Sequence, residues 1–287
     1  MALIKKSNDL IQAKYNLSKN EQKLILYLVS KINRPDKEFQ TYTFQFIELV
    51  EVIGLSKTLV YEEMNDLAQN LLKKPICFEI NHGVKEYANW VSYFKIDSIQ
   101  KQVSIRFDPL LKPYLLQLNK YFTAYKLQYV QDFSCKYSFR LYEFCKQYQN
   151  TDSKQRTLSL IEFKALLEIS DKYSRLPDLK KDVISRAIKD INSFSDIAVK
   201  VRYKKTSRRI THLVFDIKDK LKHCHTELQE QQGHNATVQQ AKKQQERDKQ
   251  AKVAELKKKL WQTMTTEEKK AYHQVESIGF VRFMGEN

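Results

Sequence analysis

Apolar residues recur at helical spacing in the first folded part of the chain. After Ser18 they return every three or four positions up to Ile32, which predicts one helix that ends at Arg34-Pro35. Glu21 stands three residues after Ser18, a spacing typical of a capping box that satisfies the free N–H groups at a helix start. The pattern of residues 1–16 predicts only a short arm, part of which is helical.

The segment 41–107 alternates between helical and strand patterns. Gly54 and Pro75 divide it, because glycine accepts the left-handed backbone past a helix end and proline cannot continue a helix. The predicted elements are a strand at 41–44, helices at 46–53 and 56–74, and strands at 76–80, 87–99 and 103–107. The helix that begins at its cap Ser56 has the buried stripe Leu59, Met64 or Leu67, and Leu71. This order of helix, strand, helix, helix and hairpin is typical of a winged-helix domain.

A similar order follows from residue 108 onward. Asp108-Pro109 begins a predicted connecting helix that runs to about Leu118, and Ser134 predicts the cap of a helix over 135–148. Ser159 and Glu162 repeat the capping-box spacing. The remaining predicted elements are a strand at 157–159, helices at 159–167 and 177–193, and strands at 197–201 and 210–217 that flank the turn KKTSRR.

The two halves match each other in element order. Residues 46–49 align with 160–163, and 76–80 align with 197–201. The predicted fold class is therefore α+β, with two tandem winged-helix domains related by an internal pseudo-duplication. We predict a first domain over 1–120, a second over 121–217, and a polar, partly helical or disordered C-terminal tail over 218–287, rich in Lys and Gln.

The net charge narrows the range of partners. A formal charge of +16 attracts polyanions, so nucleic acid or an anionic membrane is indicated. No apolar run reaches the roughly 18 residues that span a bilayer, and no signal-peptide pattern is present, so we expect a cytoplasmic protein without membrane association. Four separated cysteines (Cys77, Cys135, Cys145 and Cys224) predict reduced structural thiols rather than disulfides or zinc ligands.

The segment 172–209 concentrates the positive charge, with twelve Lys/Arg against four Asp. A helix suits the major groove of DNA, and a cationic hairpin reaches phosphates or the minor groove. We predict that Arg186 reads a base edge, although Asp182 four residues earlier also predicts a surface ion pair. The predicted DNA-binding residues of the helix are Lys180, Lys181, Ser185, Arg186 and Lys189, and those of the hairpin, or wing, are Arg202, Lys204, Lys205, Arg208 and Arg209.

Two further segments carry weaker signals for DNA binding. The loop before the helix offers Lys172, Tyr173 and Arg175 as a backbone clamp. In the first half, the helix start offers Ser56, Lys57, Thr58 and Tyr61, since hydroxyl groups and helix N-termini suit phosphates. The acidic residues Glu62, Glu63 and Asp66 weaken that surface, so we expect one strong and one weaker reader.

Signals for catalysis are poor. The sequence has neither a Walker A motif nor GxSxG, and no His-x-His lies in the folded part to support a nicking tyrosine. The cluster His223-Cys224-His225 lacks a second ligand pair, so we expect no metal and no cofactor. The chain is therefore expected not to be an enzyme.

One run carries a family resemblance. KKSNDLIQAKYNLSKNEQKLIL at 5–26, followed by the paired winged-helix pattern, resembles the iteron-binding plasmid replication initiators (Rep proteins of the RepE and π type), over about residues 4–217. The resemblance implies binding to direct repeats of duplex DNA at an origin, origin opening by monomers, and autorepression by dimers that form through the first domain. It also implies recruitment of a host helicase or chromosomal initiator. The tail falls outside the resemblance.

The expected function is a sequence-specific initiator of plasmid replication. The alternative is a winged-helix transcriptional repressor without initiator activity, and a rolling-circle nicking enzyme is a third class. Replication of an origin that lacks any other initiator distinguishes the first two, and a covalent tyrosine–DNA adduct would indicate the third.

Overall fold

The computed structural model describes residues 2–33, 35–81 and 83–220, together with five positions of the tail at 255, 258, 262, 265 and 267. Contacts group the chain into two units, Met1–Leu221 and Lys222–Asn287, and the first holds every described strand. Four of the five tail positions are helical. The prediction for the rest of the tail, including His223-Cys224-His225, lies outside the described residues.

The first half contains four helices and six strands among the described residues. They are β1 (Leu3–Ser7), α1 (Asn8–Gln12), α2 (Lys19–Ser30), β2 (Tyr42–Gln45), α3 (Phe46–Leu49), α4 (Val60–Lys73), β3 (Ile76–Asn81), β4 (Val84–Ala88), β5 (Val91–Asp97) and β6 (Gln102–Phe107). The predicted capping box is confirmed, since Ser18 and Glu21 exchange both bonds at the start of α2. A π-helical turn over Val50–Gly54 extends α3, and Gly54 ends it with the predicted positive φ of 81°.

The second half repeats this order after a short connection. Its elements are a 3-10 turn (Pro109–Leu111), α5 (Lys112–Leu115), β7 (Phe122–Lys126), α6 (Lys136–Lys146), β8 (Gln155–Ser159), α7 (Leu160–Leu166), α8 (Leu176–Leu179), a π-helical segment (Lys180–Ser185), α9 (Arg186–Phe194), β9 (Ile197–Thr206) and β10 (Arg209–Asp219). The predicted connecting helix ends early, at Leu115, because Leu116 is extended, and Gln117 after it adopts a positive φ.

The sheet topology confirms the two winged helices and corrects one alignment. The three-stranded sheets have the antiparallel orders β2-β6-β5 and β8-β10-β9. By this order β9 corresponds to β5, so the predicted match of 76–80 with 197–201 is wrong. The hairpin β3–β4 is an addition to the first half. The predicted strand 87–99 is divided between β4 and β5, because Trp90 between them turns inward and packs edge-on against Tyr15 at 4.9 Å.

The N-terminal arm is a strand as well as a helix. β1 pairs antiparallel with β7, from Leu3 opposite Lys126 to Ser7 opposite Phe122. Lys6 in this arm forms a buried ion pair of 2.8 Å with Glu143 of α6. The arm therefore fastens the start of the chain to elements beyond residue 120, and the predicted boundary at 120 is crossed by a β-ladder.

Helix α6 lies at the centre of the core. All nine residues from Tyr137 to Cys145 are buried, more than the single stripe that the sequence predicts. The helix contacts α1 and α2 of the first half and β8 and α9 of the second half, and only its two end residues, Lys136 and Lys146, are partly exposed. Burial raises the pKa of the Cys145 thiol to about 12, in keeping with a structural cysteine.

Two predicted helix starts need correction. The Ser56 hydroxyl accepts from the N–H groups of Thr58 and Leu59, which makes a turn, so α4 begins only at Val60. Leu59 is consequently half exposed and outside the buried stripe. Ser134 does not cap α6, because Cys135 occupies that position. Ser159 caps α7 by accepting from Glu162 N–H.

Candidate nucleic-acid interface

The helical segment 176–194 is continuous but contains a π-helical insertion. Pro177 lies in its first turn, as predicted, and the π-helical segment Lys180–Ser185 joins α8 to α9. The insertion changes which side chains face inward, because a π-helix has more residues per turn than an α-helix. Ile184 is fully buried, although the sequence did not indicate it, and the predicted core residue Ile188 is only partly buried. Lys181, Ser185, Arg186 and Lys189 are exposed on the outer face.

Arg186 forms the ion pair that its spacing predicts. Its Nη2 lies 3.8 Å from Asp182 Oδ1, with two thirds of the Arg186 side chain exposed. Exposed pairs of this kind contribute only about 0–1 kcal/mol. The guanidinium can therefore exchange Asp182 for the two acceptors of a guanine at small cost. Base contact by Arg186 stays a prediction.

Lys180 connects the helix to the wing. Its ammonium lies 3.8 Å from the ring centre of Tyr203 on β9, close enough for a cation–π interaction. Partial burial raises the pKa of Tyr203. Lys180 is thus half-buried against the wing rather than fully extended into solvent, and the contact sets the helix and the hairpin in a fixed relation.

The wing is the hairpin β9–β10, whose turn contains Ser207 at a positive φ of 54°. Arg202 is bound in a bidentate pair with Asp216, at 2.6 and 2.7 Å, so its charge is locally compensated. This hydrogen-bonded pairing lowers the pKa of Asp216. The other predicted wing residues, Lys204, Lys205, Arg208 and Arg209, lie exposed at or next to the tip. The cationic surface is therefore concentrated at the end of the hairpin.

The loop before the helix is fixed by side-chain contacts. Lys164 donates to the carbonyl groups of Lys172 and Tyr173 at 3.1 and 2.9 Å. Tyr173 has a positive φ and packs edge-on against Tyr137, with the two hydroxyls 3.4 Å apart. The Tyr173 ring is thus an internal anchor of the loop, whereas Lys172 and Arg175 extend into solvent.

Asp190 holds the helix in place, a role that the sequence did not reveal. Its carboxylate accepts from the N–H groups of Ser134 and Cys135, each at 2.8 Å, and from the hydroxyls of Ser134 and Ser138. It therefore supplies the cap of α6 from another element, and only 5% of Asp190 is exposed. The sequence feature that could have indicated this role is the pair Ser134 and Ser138, whose spacing places two hydroxyls on one side of the start of α6.

The C-terminal end of α9 is fixed by two further side chains. Lys220 donates to the carbonyl groups of Asn192 and Ser195 at 2.7 and 2.8 Å, and burial lowers the pKa of Lys220. The Asn192 side chain bonds both the N–H and the C=O of Val199 in β9. The helix is thus attached to the wing at both ends, through Tyr203 near its start and Val199 near its end.

The corresponding helix start of the first half is less basic. The hydroxyls of Ser56 and Thr58 pair with each other at 2.9 Å, and Glu63 accepts from Ser56 N–H. Lys57, Thr58 and Tyr61 are exposed, next to exposed Glu62. This surface therefore presents one cation, while the second half presents a helix face and a wing tip that are both cationic.

Neither metal sites nor membrane helices occur in the described part of the chain. No group of three His, Cys, Asp or Glu residues within it converges as metal ligands do. Cys77 and Cys145 are buried there and Cys135 is partly buried, all without disulfides. Within the same residues, no helix combines the length and apolar content that crossing a bilayer requires.

Comparisons with known proteins agree with this architecture. The family model described as Initiator Replication protein, WH1, matches residues 3–146, and the model described as Initiator Rep protein, WH2, matches residues 159–217. A replication initiation protein of Escherichia coli is 29% identical over 237 residues, which cover 79% of this chain and 73% of that protein. The crystal structure of the Pi initiator protein in complex with iteron DNA shares the fold, with a TM-score of 0.60 and 19% identity over 75% of this chain and 96% of that one.

Proposed function

We propose that this chain, which belongs to the initiator replication protein family, initiates plasmid replication by binding repeated sites in duplex DNA. It matches both the WH1 and the WH2 model of that family. Initiators of this kind act by binding and not by catalysis, in line with the prediction that the chain is not an enzyme. The Pi initiator, which shares the fold, is described in complex with iteron DNA.

The joined helix and wing of the second half carry this proposal. The helix face with Lys181, Ser185, Arg186 and Lys189 enters the major groove, where Arg186 reads a base. The wing tip lies against phosphates or the adjacent minor groove, as its four exposed cations favour. Because the Lys180–Tyr203 contact and the Asn192–Val199 bonds join the two elements, both meet the duplex in one fixed geometry.

The remaining parts have supporting roles in the proposal. Residues 121–217 are the main DNA-binding domain, and residues 1–120 contribute self-association and a weaker DNA contact at Ser56–Tyr61. Lys172 and Arg175 clamp the backbone before the helix, and Tyr173 holds their loop. The predicted tail, 218–287, begins three residues late in the structure, because β10 extends to Asp219 and Lys220 bonds the end of α9, so the stretch available to other partners follows residue 220.

Several copies on adjacent repeats would strain the duplex and favour melting of a neighbouring A·T-rich segment, since the energy of deformation depends on sequence. A dimer that represses its own gene, and a host helicase or initiator recruited to the open origin, complete the proposal. Because the proposed partner is plasmid DNA, we expect this activity in the bacterial cytoplasm.

Footprinting on the DNA beside the gene tests the proposal. We expect protection at regular spacing, which marks direct repeats, and retention of plasmid replication when this chain is the only initiator supplied. Protection of a single operator, with no support of replication, would indicate the alternative of a transcriptional repressor. Supercoiled origin DNA with Mg²⁺ serves as a control for nicking, because a covalent tyrosine adduct would assign an enzymatic role.

A further inference from the structure

The hairpin β5–β6 is the wing of the first half. In the sheet order β2-β6-β5 it occupies the place that β9–β10 occupies in β8-β10-β9. The sequence pattern does not identify it as a wing, because that pattern aligns β3 with β9. The first half therefore has a second candidate DNA-binding element besides the helix start at Ser56–Tyr61.

The outer face of this first wing is cationic. Tyr93 lies opposite Arg106 and Lys95 opposite Ser104, while Val103 and Ile105 face the core. The Arg106 guanidinium lies 5.8 Å from the Tyr93 ring centre. The residues 91–107 contain three Lys/Arg and one Asp, which gives this hairpin a net positive charge suited to phosphates.

The tip of the first wing is held in a defined conformation. The Asp97 carboxylate accepts from the N–H groups of Ile99 and Gln100 at 3.1 and 2.9 Å. Lys101 has a positive φ of 52°, and its carbonyl accepts from Phe46 N–H at 2.8 Å, which ties the tip to α3. The four-residue loop is therefore anchored on both sides.

Ile99 projects from this anchored tip with 92% of its surface exposed, the largest exposure among the large apolar residues of the described chain. An exposed apolar side chain forgoes the favourable free energy of burial. Isoleucine is also stiff at its first side-chain torsion, so it loses little rotamer freedom when it is inserted into a partner. A rigid apolar tip with cationic flanks is the arrangement by which proteins wedge open a base step from the minor groove.

We propose that the first wing inserts Ile99 as an apolar wedge between base pairs of the bound duplex, while Lys95, Lys101 and Arg106 contact the flanking phosphates. The inference rests on the proposed function, and it adds a mechanism by which binding kinks DNA. A flexible pyrimidine–purine step is the expected target, because such steps unstack most easily. Each bound copy then adds one kink, and successive repeats accumulate strain toward melting.

The test of this inference uses duplexes that contain one protected repeat. Dyes at both ends report bending by energy transfer, and 2-aminopurine within the site reports unstacking of bases. The variants are Ile99→Ala, Ile99→Leu, which keeps an apolar tip, and Lys101→Gln. Leu110→Ala is the matched control, since Leu110 is a half-exposed apolar residue that follows the opposite end of β6.

We expect Ile99→Ala to bind about tenfold more weakly and to lose both the bend and the 2-aminopurine signal of unstacking. Its salt dependence should stay unchanged, since no charge is removed. Ile99→Leu and Leu110→Ala should bend DNA as the unaltered protein does, and Lys101→Gln should reduce the salt slope by about one phosphate contact.

If Ile99→Ala bends and unstacks DNA as the unaltered protein does, the inference alone is overturned. The exposed tip would then be assigned to a protein partner. No binding of repeat DNA by the unaltered protein would overturn the proposed function and the inference together. The two failures are therefore distinguishable in one set of titrations.

Discussion

The ammonium of Lys180 lies 3.8 Å from the ring centre of Tyr203, so the first part of the candidate recognition helix is in direct contact with the outer half of wing strand β9. This contact changes the expected role of Lys180, which the sequence assigns to the DNA-binding residues of the helix. If Lys180 orients the wing, it affects the affinity for DNA indirectly, by positioning the cations of the wing tip.

Replacing Tyr203 tests that positioning role. Tyr203→Leu removes the aromatic face, and a cation–π contact at a partly exposed site is worth about 0.5–1 kcal/mol, so affinity for repeat DNA should fall about two- to fivefold. Tyr203→Phe keeps the ring and should bind as the unaltered protein does. Fluorescence anisotropy with a labelled repeat measures both, and equal losses in the two variants would mean that the hydroxyl matters instead.

Arg186→Ala should weaken specific binding by about 1–3 kcal/mol and relax the preference at one base pair. Asp182→Asn, which removes only the 3.8 Å partner, should leave specificity unchanged. Competition with singly substituted repeats provides the measurement. Equal loss on specific and random DNA would assign Arg186 to the backbone.

Neutralising the wing tip should change the salt dependence of binding. Lys204→Gln with Lys205→Gln removes two exposed cations, so the slope of log affinity against log salt should fall by about 1.8 if both contact phosphates. Arg202→Gln is the control, because Asp216 already compensates the charge of Arg202. This variant should change the slope by less than half of the change in the double variant. An unchanged slope in the double variant would separate the wing from the phosphates.

Asp190→Ala should destabilise the fold by about 2–4 kcal/mol, because it leaves buried N–H and hydroxyl donors of the α6 start without their acceptor. Asp182 on the same helical segment is only partly buried, so Asp182→Asn should change the free energy of unfolding by less than about 0.5 kcal/mol. Urea denaturation followed by circular dichroism compares the two. Similar stabilities would show that water replaces the Asp190 carboxylate.

Local patterns predicted much of the fold because they depend on neighbours in sequence. The capping box at Ser18, the glycine that ends the 46–54 segment and the proline in the first turn of the 176–194 segment follow from short-range rules. The strand β1 was missed, since its partner β7 lies more than a hundred residues away and a short arm has no period of its own. The extent of burial of α6 was missed for the same reason, because its neighbours α1, α2 and α9 come from distant parts of the chain.

The candidate site was predicted in composition but not in its internal contacts. Spacing alone indicated the outward cations and the Arg186–Asp182 pair. It could not reveal that Arg202 is paired across the hairpin, that Tyr173 anchors a loop, or that Asp190 caps another helix, because each partner is brought near only by the fold. The first wing was missed because two extended segments follow α4, and only the sheet order identifies which of them is equivalent to β9.

Site-specific photo-crosslinking reports whether the helix and the wing tip of the second half both lie against the duplex. A photoreactive phenylalanine analogue replaces Lys181 on the helix, Arg208 on the wing tip or, as a control, Asp152. The loop 150–154 is distant from the wing tip, because the Lys154 carbonyl accepts from Ile217 N–H at the opposite end of β10. On repeat DNA we predict crosslinks from position 181 to bases of the major groove and from position 208 to the adjacent backbone or minor groove, with none from 152. Crosslinking from 152 while 181 and 208 remain unlinked on bound DNA would contradict the account.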